Sequence, residues 1–244
     1  GARGAFGVIL VTTKNATAGK TKINYNGSFS MHQRTVKTED GIVSNGLQWT
    51  DGWYTAYLEG QEAPPGGINN VFKYSTDWYN ELVRRDADPS LDKVRVNDKG
   101  EYEYFGNTNW LDIIYKDQNY STEHNVSISG GNERARYYVS GRYYNQDGIY
   151  NAGDEKYTQY NIRSKGEIQI NKSLLLENNT DVMIFRSHQP MVMYDRQNIT
   201  RQAQHQGYPV TMEKNPDGTW TEAAVYIGWA GFVEGTSWQK DNKL

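Results

Sequence analysis

Five segments of the chain alternate apolar and polar residues at every second position. In the first, Ile23, Tyr25 and Phe29 fall on one face, while Asn24 and Ser28 fall on the other. Alternation with a period of two predicts β-strands that each have one apolar and one polar face. A strand of this kind suits a sheet against lipid as well as an edge strand of a soluble sandwich. The five predicted strands are 21–32, 123–129, 135–150, 160–170 and 174–186.

The connections between these strands differ in length. Short turns at 130–134 and 171–173 alternate with a long segment from Gln33 to Asn119 and another from residue 188 onward. Ordinary connections have about 4–6 residues, so segments this long are usually functional. We expect them to be mostly irregular, apart from a helix at Thr76–Arg85 and tight turns at Lys99-Gly100 and 215–220. Short turns at one end and long loops at the other are typical of outer-membrane barrels.

The composition is aromatic rather than aliphatic. Hydrophobic residues make up 36% of the 244 residues, whereas globular chains have about 45–50%. Aromatic residues reach 13%, with 19 Tyr and 7 Trp, which suits strands with one polar face. The net charge of −3 gives no electrostatic footprint for nucleic acid. The chain has no cysteine, which excludes disulfides, zinc–thiolate sites and a Cys nucleophile.

Catalytic and metal-binding patterns do not appear. The four histidines lack the spacing of metal ligands, and no Gly-x-Ser-x-Gly elbow is present. The run 145–148, followed by Asp154 and Glu155, lacks the ligand spacing of a calcium loop. Glycines 1, 4 and 7 precede a β segment, whereas phosphate-binding glycines follow a strand and open a helix. The sequence therefore predicts neither an enzyme nor a bound cofactor or metal.

Three stretches carry a family resemblance. Ala2–Lys14 reads ARGAFGVILVTTK and resembles the last plug strand of SusC-like TonB-dependent transporters, which is followed by a basic linker like Ala18–Lys22. His124–Tyr150 resembles a barrel hairpin of the same family. Asn107–Tyr115 resembles its NTDWLD-x-I segment, with Asn109 in place of the usual acid. The first and second matches are the longest and most specific.

The resemblance implies a place in the bacterial outer membrane. It predicts an all-β fold, in which residues 1–20 end a plug domain and its linker and 21–244 form about five strands of a transmembrane antiparallel barrel of 22 strands. Residues 33–119 and 188–244 are then extracellular loops, and the chain is a fragment. The family imports oligosaccharides or, in some members, peptides. Its partners are TonB, which supplies energy through an N-terminal region, a SusD-like surface lipoprotein that covers the loops, and outer-membrane lipid.

Candidate site residues fall into two groups. All seven tryptophans lie in the two long loops, where they would pack a loop core, dock a partner or stack on a ligand. An Arg or Lys on the lipid side costs about 2–4 kcal/mol at the bilayer midplane, so strand charges should face the lumen or plug. The candidates for substrate contact are Trp49, Trp53, Trp78, Trp110 and Trp220. The candidates for lumenal charge are Arg136, Arg142, Arg163, Lys165 and Glu167.

Two other functions remain open at this stage. The chain would instead be a secreted, soluble carbohydrate-binding β-module if the apolar strand faces were covered by protein and the loop Trp stacked on sugar. A passive porin is a weaker alternative, which the plug-like opening segment opposes. In the first of these, a second layer of the chain would cover Ile23, Tyr25 and Phe29.

Overall fold

The structure is a computed structural model that describes residues 18–35, 40–72, 74–190, 199–235 and 239–243. The predicted plug strand at 2–14 lies outside the described residues, as does Trp238.

Most strands belong to one antiparallel sheet of six, in the order β1-β4-β5-β6-β7-β8. The five predicted strands are confirmed. Long ladders of paired residues join them to one another in four of the sheet's five strand pairs. The sixth strand, β8, lies in the segment predicted to be a loop. A separate hairpin pairs two short strands. The strands of the large sheet are β1 Gly19–Gln33, β4 Gln118–Gly131, β5 Ala135–Asp147, β6 Lys156–Asn171, β7 Leu174–Pro190 and β8 Gln239–Lys243, and the hairpin strands are β2 Val94–Val96 and β3 Tyr102–Tyr104.

The register places the alternating residues of neighbouring strands on common faces. Tyr25 pairs with Val126, which pairs with Gly141, and the row continues through Ile162 to Val182. Rows on either side continue the same face, which we call the apolar face. The intervening residues form the polar face. A shift by one residue would exchange the two faces, so the alternation itself fixes the register.

The loops hold more regular structure than predicted, because six helices lie in their described residues and only one of them was predicted. The predicted helix is confirmed and runs slightly longer than expected. Ser75 caps it by accepting a hydrogen bond from the Trp78 backbone N–H at 3.0 Å. An all-β description is therefore too narrow. The helices are α1 Gly46–Leu58, α2 Thr76–Ala87, α3 Trp110–Ile114, α4 Ile199–Gln206, α5 Glu222–Ile227 and α6 Trp229–Val233.

The two long loops fold together into what we call the loop module, residues 40–72, 74–117 and 199–235. Backbone hydrogen bonds join them, from Gly106 to Val210 at 2.8 Å and from Thr108 to Pro209 at 2.9 Å. Two apolar clusters fill the module. One contains Trp110, Ile114, Ile199, Ala203, Ala224, Ile227, Trp229 and Phe232, and the other contains Ile68, Trp78, Leu82, Phe105 and Val210.

The loop module is attached to one end of the sheet. Arg34, just after β1, binds Asp112 at 2.9 Å and Asp117 at 2.5 Å. Asn151, in the connection after β5, donates its backbone N–H to Ile114 at 2.8 Å. The short turns at 132–134 and 172–173 lie at the opposite end, so the segregation of loop lengths predicted from the sequence is confirmed.

Candidate functional site

The apolar face of the sheet is open. Ile23, Tyr25 and Phe29 are 69%, 67% and 68% exposed, and Ile162 is 57% exposed. No second layer of described residues covers them, whereas a soluble sandwich would require such a layer. Exposed apolar patches of this extent mark contact with a membrane or another protein.

Charged side chains avoid this face. On the alternating positions 23–31, 120–130, 135–145, 158–168 and 176–184, which the register places together, there is no Asp, Glu, Lys or Arg. The nearest charged positions on the same face, Asp147, Lys156 and Arg186, lie toward the loop module. The middle of the face is therefore uniformly uncharged.

A ladder of rings crosses the apolar face toward the loop module. Tyr25 stacks on His124 with ring centroids 6.1 Å apart, His124 stacks on Tyr143 at 6.1 Å, and Tyr143 contacts Tyr160 at 5.2 Å. The Tyr25 hydroxyl and His124 Nδ1 share a hydrogen bond of 2.7 Å. Aromatic rings with a polar tip are the residues that occur where an apolar band meets water.

The predicted lumenal charges share the opposite, polar face. Arg136 lies 3.8 Å from Glu167, and the two are direct cross-strand partners. Similar pairs join Arg142 to Glu123 at 2.8 Å and Arg163 to Asp181 at 3.8 Å. Lys165 also lies on the polar face. Four of the five predicted residues thus have an ionic partner within the sheet itself, and Arg136 and Glu167 are partners of each other.

Two of the predicted loop tryptophans fill separate cores. Trp78 is 3% exposed, stacks on Tyr74 with centroids 3.9 Å apart and donates its Nε1–H to the Tyr104 carbonyl. Trp110 is 2% exposed, and its Nε1–H reaches Thr211 Oγ1 at 3.2 Å. Both rings therefore pack the loop module and present little surface to a ligand.

Trp220 lies at the edge of the cluster that contains Trp110, where it is half-buried. The Lys214 ammonium group lies 3.9 Å from the centroid of the Trp220 ring, and Trp220 Nε1–H donates a hydrogen bond to the Glu234 carboxylate. Lys214 and Trp220 also form a β-bridge that closes the turn predicted at 215–220. The ring is already occupied by these contacts within the loop module.

Trp49 and Trp53 belong to an outward-facing group that we call the aromatic patch. Trp53 is 47% exposed and packs edge-on against Phe72 at 5.1 Å, while Trp49 stacks on Tyr208 at 5.0 Å. Phe72 lies in the same long loop as the two tryptophans and Tyr208 in the other loop, and neither was predicted, because only the fold brings them to the tryptophans. The exposed Val71 and Leu58 lie near this patch in the chain and extend the apolar surface of the module.

A cleft of about 580 Å³ opens between α2, the β2–β3 hairpin and the start of the second long loop. Arg95 crosses it and binds Asp77 at 2.6 Å and Glu103 at 2.5 Å. Nearby, a hydrogen bond from Arg84 and a further one from Arg85 lower the pKa of Glu81 to about 2. Burial, with a smaller contribution from Tyr208, raises the pKa of Tyr74 to about 12. Three of the charged side chains that line this cleft, Asp77, Arg95 and Glu103, are thus paired with one another.

The part of the chain that the structure describes contains no cluster of three or more His, Asp or Glu side chains arranged to hold a metal ion. In that same part, no helix is both long enough and apolar enough to cross a bilayer.

Together, the fold and these surfaces define a sheet with one open apolar face, one charged face and a folded module at one end. No family profile matches the chain. The chain is similar to the TonB-dependent receptor P3 of Formosa agariphila, with 27% identity over 173 residues, which are 70% of this chain and 12% of that protein. This relative confirms the resemblance to TonB-dependent transporters. The chain spans only about an eighth of the relative's length.

The chain is also similar to solved structures of a peptide transporter. The chain covers 19% of a chain in the RagAB peptide transporter, with 20% identity and a TM-score of 0.47. Two states of the RagAB peptide importer, open-open and closed-closed, give TM-scores of 0.48 with 20% and 16% identity, and the chain covers 20% and 23% of theirs.

Proposed function

We propose that this chain forms part of the wall and outer loops of a β-barrel that imports solutes across the bacterial outer membrane with energy supplied through TonB. The open, uncharged apolar face is the observation that carries the proposal. In water such a face would be a liability, whereas against lipid it is the surface that a membrane barrel needs. The relationship to a TonB-dependent receptor supports active import.

The height of the apolar face supports a membrane position. From Tyr160 to Ile170 the strand β6 advances by ten residues, or about 34 Å at about 3.4 Å per residue. With a strand tilt of about 40°, this corresponds to a height of about 26 Å, close to the roughly 25 Å apolar band of outer-membrane barrels. An open sheet cannot span a bilayer, because its edge groups need partners, so the remaining strands of a closed barrel must pair with β1 and β8.

The orientation and domain assignment follow from the loop module. The short turns would face the periplasm and the module would face outward, with residues 1–20 leading from a plug into β1. The polar face, with Arg136, Arg142 and Arg163, would then line the lumen around that plug. The aromatic patch is the surface we assign to a SusD-like lipoprotein, because exposed Trp and Tyr are enriched at the centres of protein interfaces. The cargo would be an oligosaccharide or a peptide.

The test uses the full-length protein in its own host. We expect it in the outer-membrane fraction, and we expect uptake of its cargo to stop when TonB is deleted. Purified protein should stay monodisperse only in detergent. A full-length protein that is monodisperse in buffer alone would favour the soluble carbohydrate-binding module, which the open apolar face opposes. Uptake that persists without TonB would favour a passive porin.

A further inference from the structure

A cavity of about 390 Å³ lies where the polar face of the sheet meets the loop module. The ends of β1, β4 and β5 contribute His32, Asn119 and Gln146, and the segments beside them contribute Arg34 and Lys116. The register places His32, Asn119 and Gln146 on the polar face. The cavity therefore opens on the side opposite the apolar face, and it lies apart from the cleft at Arg95.

The cavity contains hydrogen-bond donors that lack acceptors. Arg34 Nη2 binds Asp112 and Asp117, but the buried Nη1 has no partner among the described residues. Gln146 accepts a hydrogen bond from the Tyr144 hydroxyl at 2.7 Å through Oε1, which fixes its amide group with the NH2 end free to donate. A buried donor without an acceptor is costly, and such a group usually indicates a water or an ion.

The unpaired charge of the cavity comes from Lys116. Arg34 also lines it, but Asp112 and Asp117 both accept hydrogen bonds from Arg34 Nη2 and balance its charge. The Lys116 backbone is held by a hydrogen bond to the Ile149 carbonyl at 2.8 Å, so its side chain starts from a fixed position. Among the described residues, no carboxylate forms an ion pair with Lys116. His32 shares a 3.1 Å hydrogen bond with Ser121 and adds a further polar group.

We infer that this cavity binds an oxyanion, a carboxylate, sulfate or phosphate group, carried by the molecule that the protein imports. The inference rests on the proposed function, because that function places the polar face along the path of the cargo. Arg34 supplies a planar donor group suited to oxyanions, Gln146 supplies a second donor, and Lys116 supplies charge. Acidic cargo would thus be retained at the junction of the loop module and the sheet.

The first experiment measures binding of sodium sulfate to the purified full-length protein by isothermal titration, with sodium chloride at matched ionic strength as the reference. The variants are Gln146→Glu, which keeps the bond to Tyr144 but removes the NH2 donors, and Lys116→Gln. The matched control is Lys99→Gln, which removes the same charge from an exposed position of the loop module. We expect each cavity variant to weaken sulfate binding by about tenfold or more, because hydrogen bonds to charged groups are strong.

Sulfate that binds no better than chloride would overturn the inference, as would an equal loss in the Lys99→Gln control. A second experiment separates cargo from free inorganic anions. Glucuronate should displace sulfate, whereas glucose, its neutral counterpart, should not. Binding of sulfate that glucuronate does not displace would indicate an adventitious ion only and would reject the assignment to cargo. TonB-dependent uptake without sulfate binding would overturn this inference alone, and sulfate binding without such uptake would overturn the proposed function.

Discussion

In the sheet, Ile23, Tyr25 and Phe29 keep about two thirds of their surface exposed, whereas in the loop module Phe105, Trp110 and Ile114 keep 2% or less. Apolar side chains thus have opposite environments in two parts of one chain. The loop module is organised like a small soluble domain, whose stability comes from burial. The sheet has no core of its own, and under the proposed function lipid covers its apolar residues. The difference then teaches that exposure alone does not measure what a side chain contributes, because the solvent differs.

The largest expected effect is on the loop module. Trp110→Ala removes a buried ring from the centre of one cluster, and substitutions of this kind cost about 3–5 kcal/mol. Trp53→Ala is the matched control, because the Trp53 ring is 47% exposed, and it should cost less than about 1 kcal/mol. Amide hydrogen exchange of the loop peptides in the full-length protein measures both. Equal protection in the two variants would contradict the distinction between core and surface tryptophans.

The second prediction concerns the sheet, where the role of exposure is reversed. Val126 and Ser127 are neighbours on β4 but lie on the apolar and polar faces. Val126→Arg should destabilise the protein in lipid vesicles by about 2–4 kcal/mol, because the charge enters the bilayer. Ser127→Arg should cost less than about 1 kcal/mol. Unfolding by denaturant in vesicles gives both values. If Val126→Arg were as mild as an ordinary surface substitution, water rather than lipid would cover the apolar face.

The success and failure of sequence reasoning follow the same division. The sheet was predictable because its alternation is local, so the face of residues such as Ile23 and Tyr25 follows from their own strand without knowledge of any partner strand. The loop module was less predictable. Its helix at 222–227 has local signals, a Thr221 cap that accepts from the Ala224 N–H at 3.2 Å and Gly228 with φ 84° at its end. These signals were readable from the sequence and were missed.

Other features of the loop module were not readable from local sequence. The helix at 110–114 is only five residues long and depends on Asn109, whose side chain accepts from the Asp112 N–H and donates to its carboxylate at 2.7 Å. The aromatic patch joins Trp49 to Tyr208 across more than 150 residues of sequence. The cavity lined by Arg34 and Lys116 likewise unites residues from three strand ends. Contacts between distant residues of this kind leave no periodic pattern.

A smaller effect is expected from acid on the loop module. Hydrogen bonds from Arg84 and Arg85 lower the pKa of Glu81 to about 2, below its ordinary value of 4.5. A depressed folded-state pKa gives stability that is present above pH 4.5 and lost as the pH falls toward 2. The contribution should stay below about 1 kcal/mol, because Arg84 is largely exposed. The protection factors of amides 76–87, taken relative to the intrinsic exchange rate at each pH, should fall over this range, and Glu81→Gln should remove that fall. A variant with an unchanged pH profile would exclude Glu81 as the group.

The smallest effect separates two uses of the charged face. Arg163 and Asp181 lie 3.8 Å apart, and Asp181 is 53% exposed, so a double-mutant cycle with Arg163→Gln and Asp181→Asn should give a coupling of about 0.2–1 kcal/mol. That value would mean that the pair is satisfied within the sheet. A coupling near zero, with a large effect of Arg163→Gln alone, would instead place the partner of Arg163 elsewhere, on a plug or on cargo. In that case the atom that binds the further partner would be Arg163 Nε, because it is buried and has no hydrogen-bond partner among the described residues. The cycle thus tests whether the polar face is complete by itself, as the cores of the loop module are, or depends on a further part of the protein, as the proposed function makes the apolar face depend on lipid.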